Sequence, residues 1–177
     1  MELLELYVPQ IEDLWFRQKM LSDPETMSYN ANYDMDIEGY HKDTGCIDFP
    51  ESEWEEWHEY WCKEQKNADP ERFYAYVVRP SDGEFIGEVN YHYTPEKDWW
   101  DIGIVLYAPY RGMGYSANAL WQLVAQALIR GSVTKLHNAF ETDRIAARKC
   151  HLRAGFHDAG VENGIQHFIL TEEDYPF

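Results

Sequence analysis

Apolar residues recur at two periods along the chain, and the change from one to the other marks its elements. Residues 3–8 read as a short strand. After Pro9, the positions Ile11, Leu14, Trp15 and Leu21 predict a helix with one buried stripe, broken at Asp23-Pro24. Residues 22–50 show no clear period. This loop-rich run carries Tyr29, Asn30, Tyr33, Asp34, Asp36 and Tyr40, groups suited to a substrate wall. Ser52-x-x-Glu55 has the form of a capping box, and Trp54, Trp57, His58 and Trp61 fall on one face of the helix behind it. Such a stripe predicts core packing.

Further on, residues 73–78 and 84–93 predict two strands joined through Pro80-Ser81-Asp82-Gly83, and residues 101–106 predict a third. Ala117, Leu120, Trp121, Val124 and Leu128 form a second helical stripe, which Gly131 is placed to end. Strand returns over 133–140. A helix follows, ending at Gly155, and residues 156–161 and 165–170 then flank Asn163-Gly164, a two-residue hairpin signal. The order β, helices, β-hairpin, β, α, β, α, ββ predicts an α+β domain over residues 1–177, with a mixed, mostly antiparallel sheet and helices on both faces.

Composition narrows the partners. A chain of 177 residues buries a core without staples. The formal charge of −17 is uneven: residues 1–70 hold 18 acidic against 5 basic side chains, net −13, and the remainder hold 14 against 10, net −4. That field repels nucleic acid and anionic membranes and favours an amine-bearing partner, although surplus acid also serves solubility. Cys46, Cys62 and Cys150 cannot all pair, and no metal-ligand spacing occurs among them and the seven His. The acidic start, Met1-Glu2-Leu3-Leu4-Glu5, resembles neither a signal peptide nor a membrane span. The expectation is a cytoplasmic protein without structural metal.

The richest segment runs from Leu106 to Ser116 through Arg111-Gly112-Met113-Gly114-Tyr115. It leads a strand through two glycines into a helix, so successive N–H groups and the positive end of the helix face one point, a cradle for pyrophosphate. A P-loop requires Lys and Ser/Thr after its second glycine, where Tyr115 and Ser116 stand. Gly112, Gly114 and Ala117 fit the dinucleotide fingerprint G-x-G-x-x-A, with Glu141 as its ribose acid. However, Pro109, Tyr110 and Arg111 intervene before the first glycine, and 60 residues after Ala117 are too few for a doubly wound sheet.

Arg111-x-x-Gly114-x-Ser116 resembles the (Q/R)-x-x-G-x-(G/A) signature of the GNAT superfamily of acyl-CoA-dependent N-acyltransferases, with Ser116 departing at the last position. The run from Asp143 to Phe156 is similar to that family's N-x-x-A-x-x-x-(Y)-x-x-x-G-F helix, with Arg144 at the Asn position and His151 at the Tyr position. The likeness is strongest over residues 84–170. It is closest to aminoglycoside 6'-N-acetyltransferases and to ribosomal-protein acetyltransferases of the RimJ/RimL type.

This resemblance implies a sheet whose two central parallel strands splay to admit acetyl-CoA. It implies pyrophosphate on the amides of Arg111, Gly112, Met113, Gly114, Tyr115 and Ser116, pantetheine along Leu106, and Ala147 beside the cofactor. Asp101 becomes the candidate base, through a water relay, with Glu88, His92 and Glu141 in reserve. His151 becomes the candidate acid for the coenzyme A thiolate, and Cys150 is read as packing. The implied reaction moves acetyl from acetyl-CoA to a primary amine of a cationic small molecule. A peptide N-terminus as acceptor and a non-catalytic CoA-binding sensor are the alternatives. No metal, nucleic acid or membrane is called for, and a homodimer is left open.

Overall fold

A computed structural model of the chain describes residues 3–63 and 71–174. Its described strands are β1 (Glu5–Tyr7), β2 (Arg72–Arg79), β3 (Glu84–Thr94), β4 (Trp99–Leu106), β5 (Lys135–Glu141), β6 (His157–Glu162) and β7 (Ile165–Thr171). They form one sheet in the order β1-β2-β3-β4-β5-β7-β6. Neighbours run antiparallel except β4 and β5. These two are parallel and pair only at Trp100↔Leu136 and Asp101↔His137, beyond which they part. A doubly wound dinucleotide fold is thereby ruled out, and the mixed sheet with one splayed parallel pair is observed.

The described α-helices are α1 (Trp15–Leu21), α2 (Pro24–Met27), α3 (Glu51–His58), α4 (Tyr115–Arg130) and α5 (Ile145–Arg153). On one face of the sheet, α4 buries Ala119, Leu120, Leu123, Val124 and Ala127 in a core shared with Val89, Tyr91, Trp100 and Ile102. Each fully buried leucine there contributes about 1.5–3 kcal/mol. Trp121, placed on the buried stripe by periodicity, is 40% exposed. The stripe through Leu120, Leu123 and Ala127 is the one that faces the sheet. Gly131 ends α4 in the left-handed conformation, as its position predicts.

On the opposite face, Phe16 and Met20 of α1 pack with Tyr74 and Tyr76 of β2. A 3₁₀ turn, Ile11–Leu14, precedes α1. Its tighter winding breaks the expected single stripe, leaving Ile11 and Trp15 exposed while Leu14 and Leu21 are buried. Helix α3 starts at Glu51 with Pro50 as its N-cap, so the Ser52 capping box does not form. Trp54, Trp57 and Trp61 are half-buried. Trp57 packs edge-on against Tyr74, their ring centroids 4.7 Å apart. The 163–164 hairpin is observed, with both Asn163 and Gly164 at positive φ.

Candidate active site

Where β4 and β5 part, a cleft of about 1090 Å³ opens between them. It passes through the sheet. Glu88, Asn90 and Gly103 line it toward α1, and Ser116, Ala147 and His151 line it toward α4 and α5. A Cβ on Gly103 would lie 2.6 Å from the Asn90 amide nitrogen, so a larger residue there would displace the Asn90 side chain. The irregular run from Tyr29 to Met35 closes the cleft on one side, as the aromatic and polar groups of that segment suggest.

The two glycines fall in the turn between β4 and α4. Gly112 and Gly114 adopt φ of +77° and +84°, a left-handed conformation that side chains disfavour. Gly114 caps α4 with no side-chain hydrogen bond, so the first amides of the helix stay open toward an anion. Arg111 is arranged differently from a phosphate contact. Its guanidinium donates to the carbonyls of Leu106 (3.1 Å), Glu25 (3.0 Å) and Thr26 (2.5 Å), and its own amide bonds Ala108. It thus ties α2 to the end of β4. Leu106, Arg111, Gly112, Ser116 and Ala147 line the cleft, whereas Met113 points to solvent and the Tyr115 hydroxyl meets Arg79 at 3.4 Å. Ser116 hydrogen-bonds Cys150, whose thiol burial pushes its pKa up.

Asp101 stands at the two-residue seam, outside the described lining of the cleft. His137 Nδ1 lies 2.6 Å from its carboxylate, the Trp99 indole donates at 3.1 Å, and the Thr94 hydroxyl donates as well. Burial alone would raise this carboxyl's pKa. The hydrogen bonds from His137, Thr94 and Trp99 outweigh it and hold the group below its ordinary value. His137 continues the chain to His167 at 3.0 Å and stacks on Trp99. The arrangement pins β4 to β5.

His151 is buried in the cleft wall. Its Nδ1 meets the Ala147 carbonyl at 2.8 Å, and its Nε2 meets the Asn138 side-chain nitrogen at 2.8 Å. The Asn138 oxygen accepts from the Ala139 amide, which turns its nitrogen toward the imidazole. His151 therefore donates from Nδ1 and accepts at Nε2, the neutral form. Burial lowers its pKa and the Arg144 charge adds to this, against the opposing pull of the Ala147 carbonyl.

Glu88, one of the reserve bases, is buried on the far side of the sheet and paired with Arg17, 2.6 Å away. Tyr74 donates to it too. Arg17 stacks over Trp57 at 4.5 Å. Glu141 lines the cleft with its carboxylate taken by the Tyr33 hydroxyl, and His92 lies outside the described lining. Sequence reasoning missed Arg17 and Asn138. A signal for Arg17 was present, since it falls on the same helical face as the apolar Leu14 and Leu21; Asn138 carries no comparable signal.

The family model for the acetyltransferase (GNAT) domain matches residues 4–157. The chain belongs to the GNAT acetyltransferases, and it is an acetyl-CoA-dependent enzyme of that class. No curated protein matches it in sequence. Among solved structures, it is similar to RimL, the ribosomal L7/L12 alpha-N-protein acetyltransferase in complex with coenzyme A. That match has a TM-score of 0.72 and 13% identity, covering 99% of this chain and 97% of that one. Aminoglycoside acetyltransferase AAC(6')-Ib with coenzyme A and kanamycin gives 0.69 at 16%, covering 97% and 96%. Spermidine N-acetyltransferase from Vibrio cholerae with CoA and spermine gives 0.70 at 16%, covering 97% of each chain. Among the described residues no helix is long and apolar enough to cross a membrane, and no metal-binding group occurs.

Proposed function

We propose that the enzyme transfers acetyl directly from acetyl-CoA to a primary amine on a cationic small molecule. The observation that carries this reading is the formal charge of −17, with Asp34, Glu88, Glu141 and Asp143 lining the cleft against Arg111 and Arg144. The aminoglycoside and spermine named with two of the similar structures are amines of that kind.

In this reading the pyrophosphate of acetyl-CoA rests on the amides of Gly112 to Ser116, beside Ala147. The edge of β4 that β5 leaves unpaired, through Leu106, hydrogen-bonds the pantetheine arm as an added strand would. The thioester then lies at the splay, reached by the amine from the Glu88 side. An ammonium must lose a proton before it attacks. That proton passes to water, and Asp101, held by three donors, fixes the spacing of β4 and β5. His151 serves as a neutral wall.

The test is thiol release from acetyl-CoA with purified protein and a panel of aminoglycosides, polyamines and peptides, against a no-amine control. Release with polyamines or aminoglycosides is the expected result. Release with peptides alone would replace the acceptor class, and acetyl-CoA binding without release from any amine would favour a sensor.

A further inference from the structure

Among the described residues lining the cleft, Glu88 is the one buried carboxylate. Asp34 and Asp143 are exposed, and Glu141 is half-buried. A buried carboxylate on the side from which the amine arrives is where a second positive charge of a polyamine would be held most firmly. In this chain the place is taken. Arg17 Nη1 donates to both Glu88 oxygens, at 2.6 and 2.7 Å.

Three rings surround the same guanidinium. Its carbon lies 4.5 Å from the Trp57 ring centroid, 5.4 Å from that of Phe49 and 5.6 Å from that of Tyr74. The rings brace one another, Trp57 against Tyr74 at 4.7 Å and against Phe49 at 5.6 Å, so their arrangement does not depend on the cation between them. Aromatic faces beside a carboxylate are a general recognition device for ammonium and guanidinium ions. Packing alone does not call for such a pair, because apolar side chains of similar volume often stabilise a core equally well. The pairing is also incomplete: the buried Nε of Arg17 has no hydrogen-bond partner among the described residues. Both charges reach the cleft wall. At Tyr29, burial and then Glu88 raise the phenol's pKa, and Arg17 leads the charges that oppose them.

We propose that Arg17 is a specificity-determining residue of the acceptor half: its guanidinium fills a cation cage made by Phe49, Trp57, Tyr74 and Glu88, and so shuts out a second positive charge of the acceptor there. The inference rests on the transferase reading and refines its acceptor class. Glu88 belongs to both cage and cleft. An amine therefore enters with its reacting group toward Glu88 and leaves any further charge toward Asp34, Glu141 and Asp143. Removing Arg17 opens the cage to an alkylammonium or alkylguanidinium ion.

The experiment uses Arg17→Ala with methylguanidine as the probe. Methylguanidine should bind the variant in calorimetry and raise its melting temperature by several degrees, with no effect on wild type. Steady-state kinetics then compare the best of a series of diamines, from ethylenediamine upward, with the monoamine of equal length. The ratio of their kcat/KM values should rise about tenfold in the variant, and methylguanidine should return it to the wild-type value. Arg17→Lys keeps a cation in the cage and should keep the wild-type ratio. An Arg17→Ala protein that ignores methylguanidine, or binds it with the ratio unchanged, overturns the proposal. Because removing Arg17 strands a buried carboxylate, Arg17→Ala/Glu88→Gln carries the same two readouts should the single variant not fold, and the same negative results overturn it. If no amine is acetylated, the transferase reading fails. The ratio is then read from calorimetric binding of the two amines, so the two failures stay distinct.

Discussion

Two imidazoles lie near the splay, His137 against the Asp101 carboxylate and His151 against the Ala147 carbonyl. For His151, the folded pKa lies below the ordinary value of 6.5, because burial disfavours the charged ring. In the window between the two pKa values the unfolded chain binds more protons, so stability rises with pH there and levels off above about 6.5. Melting temperature should fall between pH 7 and pH 5, and His151→Phe should flatten that slope even though it removes two hydrogen bonds. For Asp101 the folded pKa is also depressed, below 3.8. Its stabilisation is present above that value and is lost as pH falls through the folded pKa. Asp101→Asn should therefore be less stable than wild type at pH 7, with the gap closing in acid. A carboxylate at a strand start looks like a base in sequence, and three donors meeting it from three residues cannot be read there.

Among the elements, the cradle was the most legible part, because glycine spacing, a strand before and a helix after are all local. The hold on the cradle was not. Helix α2 lies some 80 residues earlier, yet the Thr26 hydroxyl accepts from the Ala108 amide at 2.9 Å and Arg111 grips two α2 carbonyls. Thr26→Val should cost about 1–3 kcal/mol in denaturant unfolding, since it leaves a buried amide without an acceptor. Arg111→Lys keeps the charge but cannot bridge three carbonyls. It should lower stability by about 1 kcal/mol and weaken acetyl-CoA binding in calorimetry; an affinity equal to wild type would show that charge alone matters. The exposed Trp121 and the 3₁₀ turn before α1 make a related point. Periodicity reports that a stripe exists, and which of two overlapping stripes meets the sheet is decided by packing.

At the scale of the whole molecule, excess negative charge acts at long range and salt screens it, with a Debye length of about 10 Å at 0.1 M. Raising salt from 0.05 to 0.5 M should raise the KM of a polyamine several-fold while leaving that of acetyl-CoA unchanged or lower. Steady-state kinetics at fixed pH would check this, and equal KM at both salt levels would remove electrostatic attraction from the account. The class of fold could be read from the order of elements. The extent of the β4–β5 pairing could not, because strand separation depends on what the rest of the sheet permits. That short seam has a further consequence. Past Trp100 and Asp101, each of the two central strands presents a naked rim in the middle of the protein, and such rims invite pairing with foreign chains. Cofactor occupancy would then protect the enzyme from self-association as well as equip it, so cells short of acetyl-CoA would hold a stickier population of it than well-fed ones.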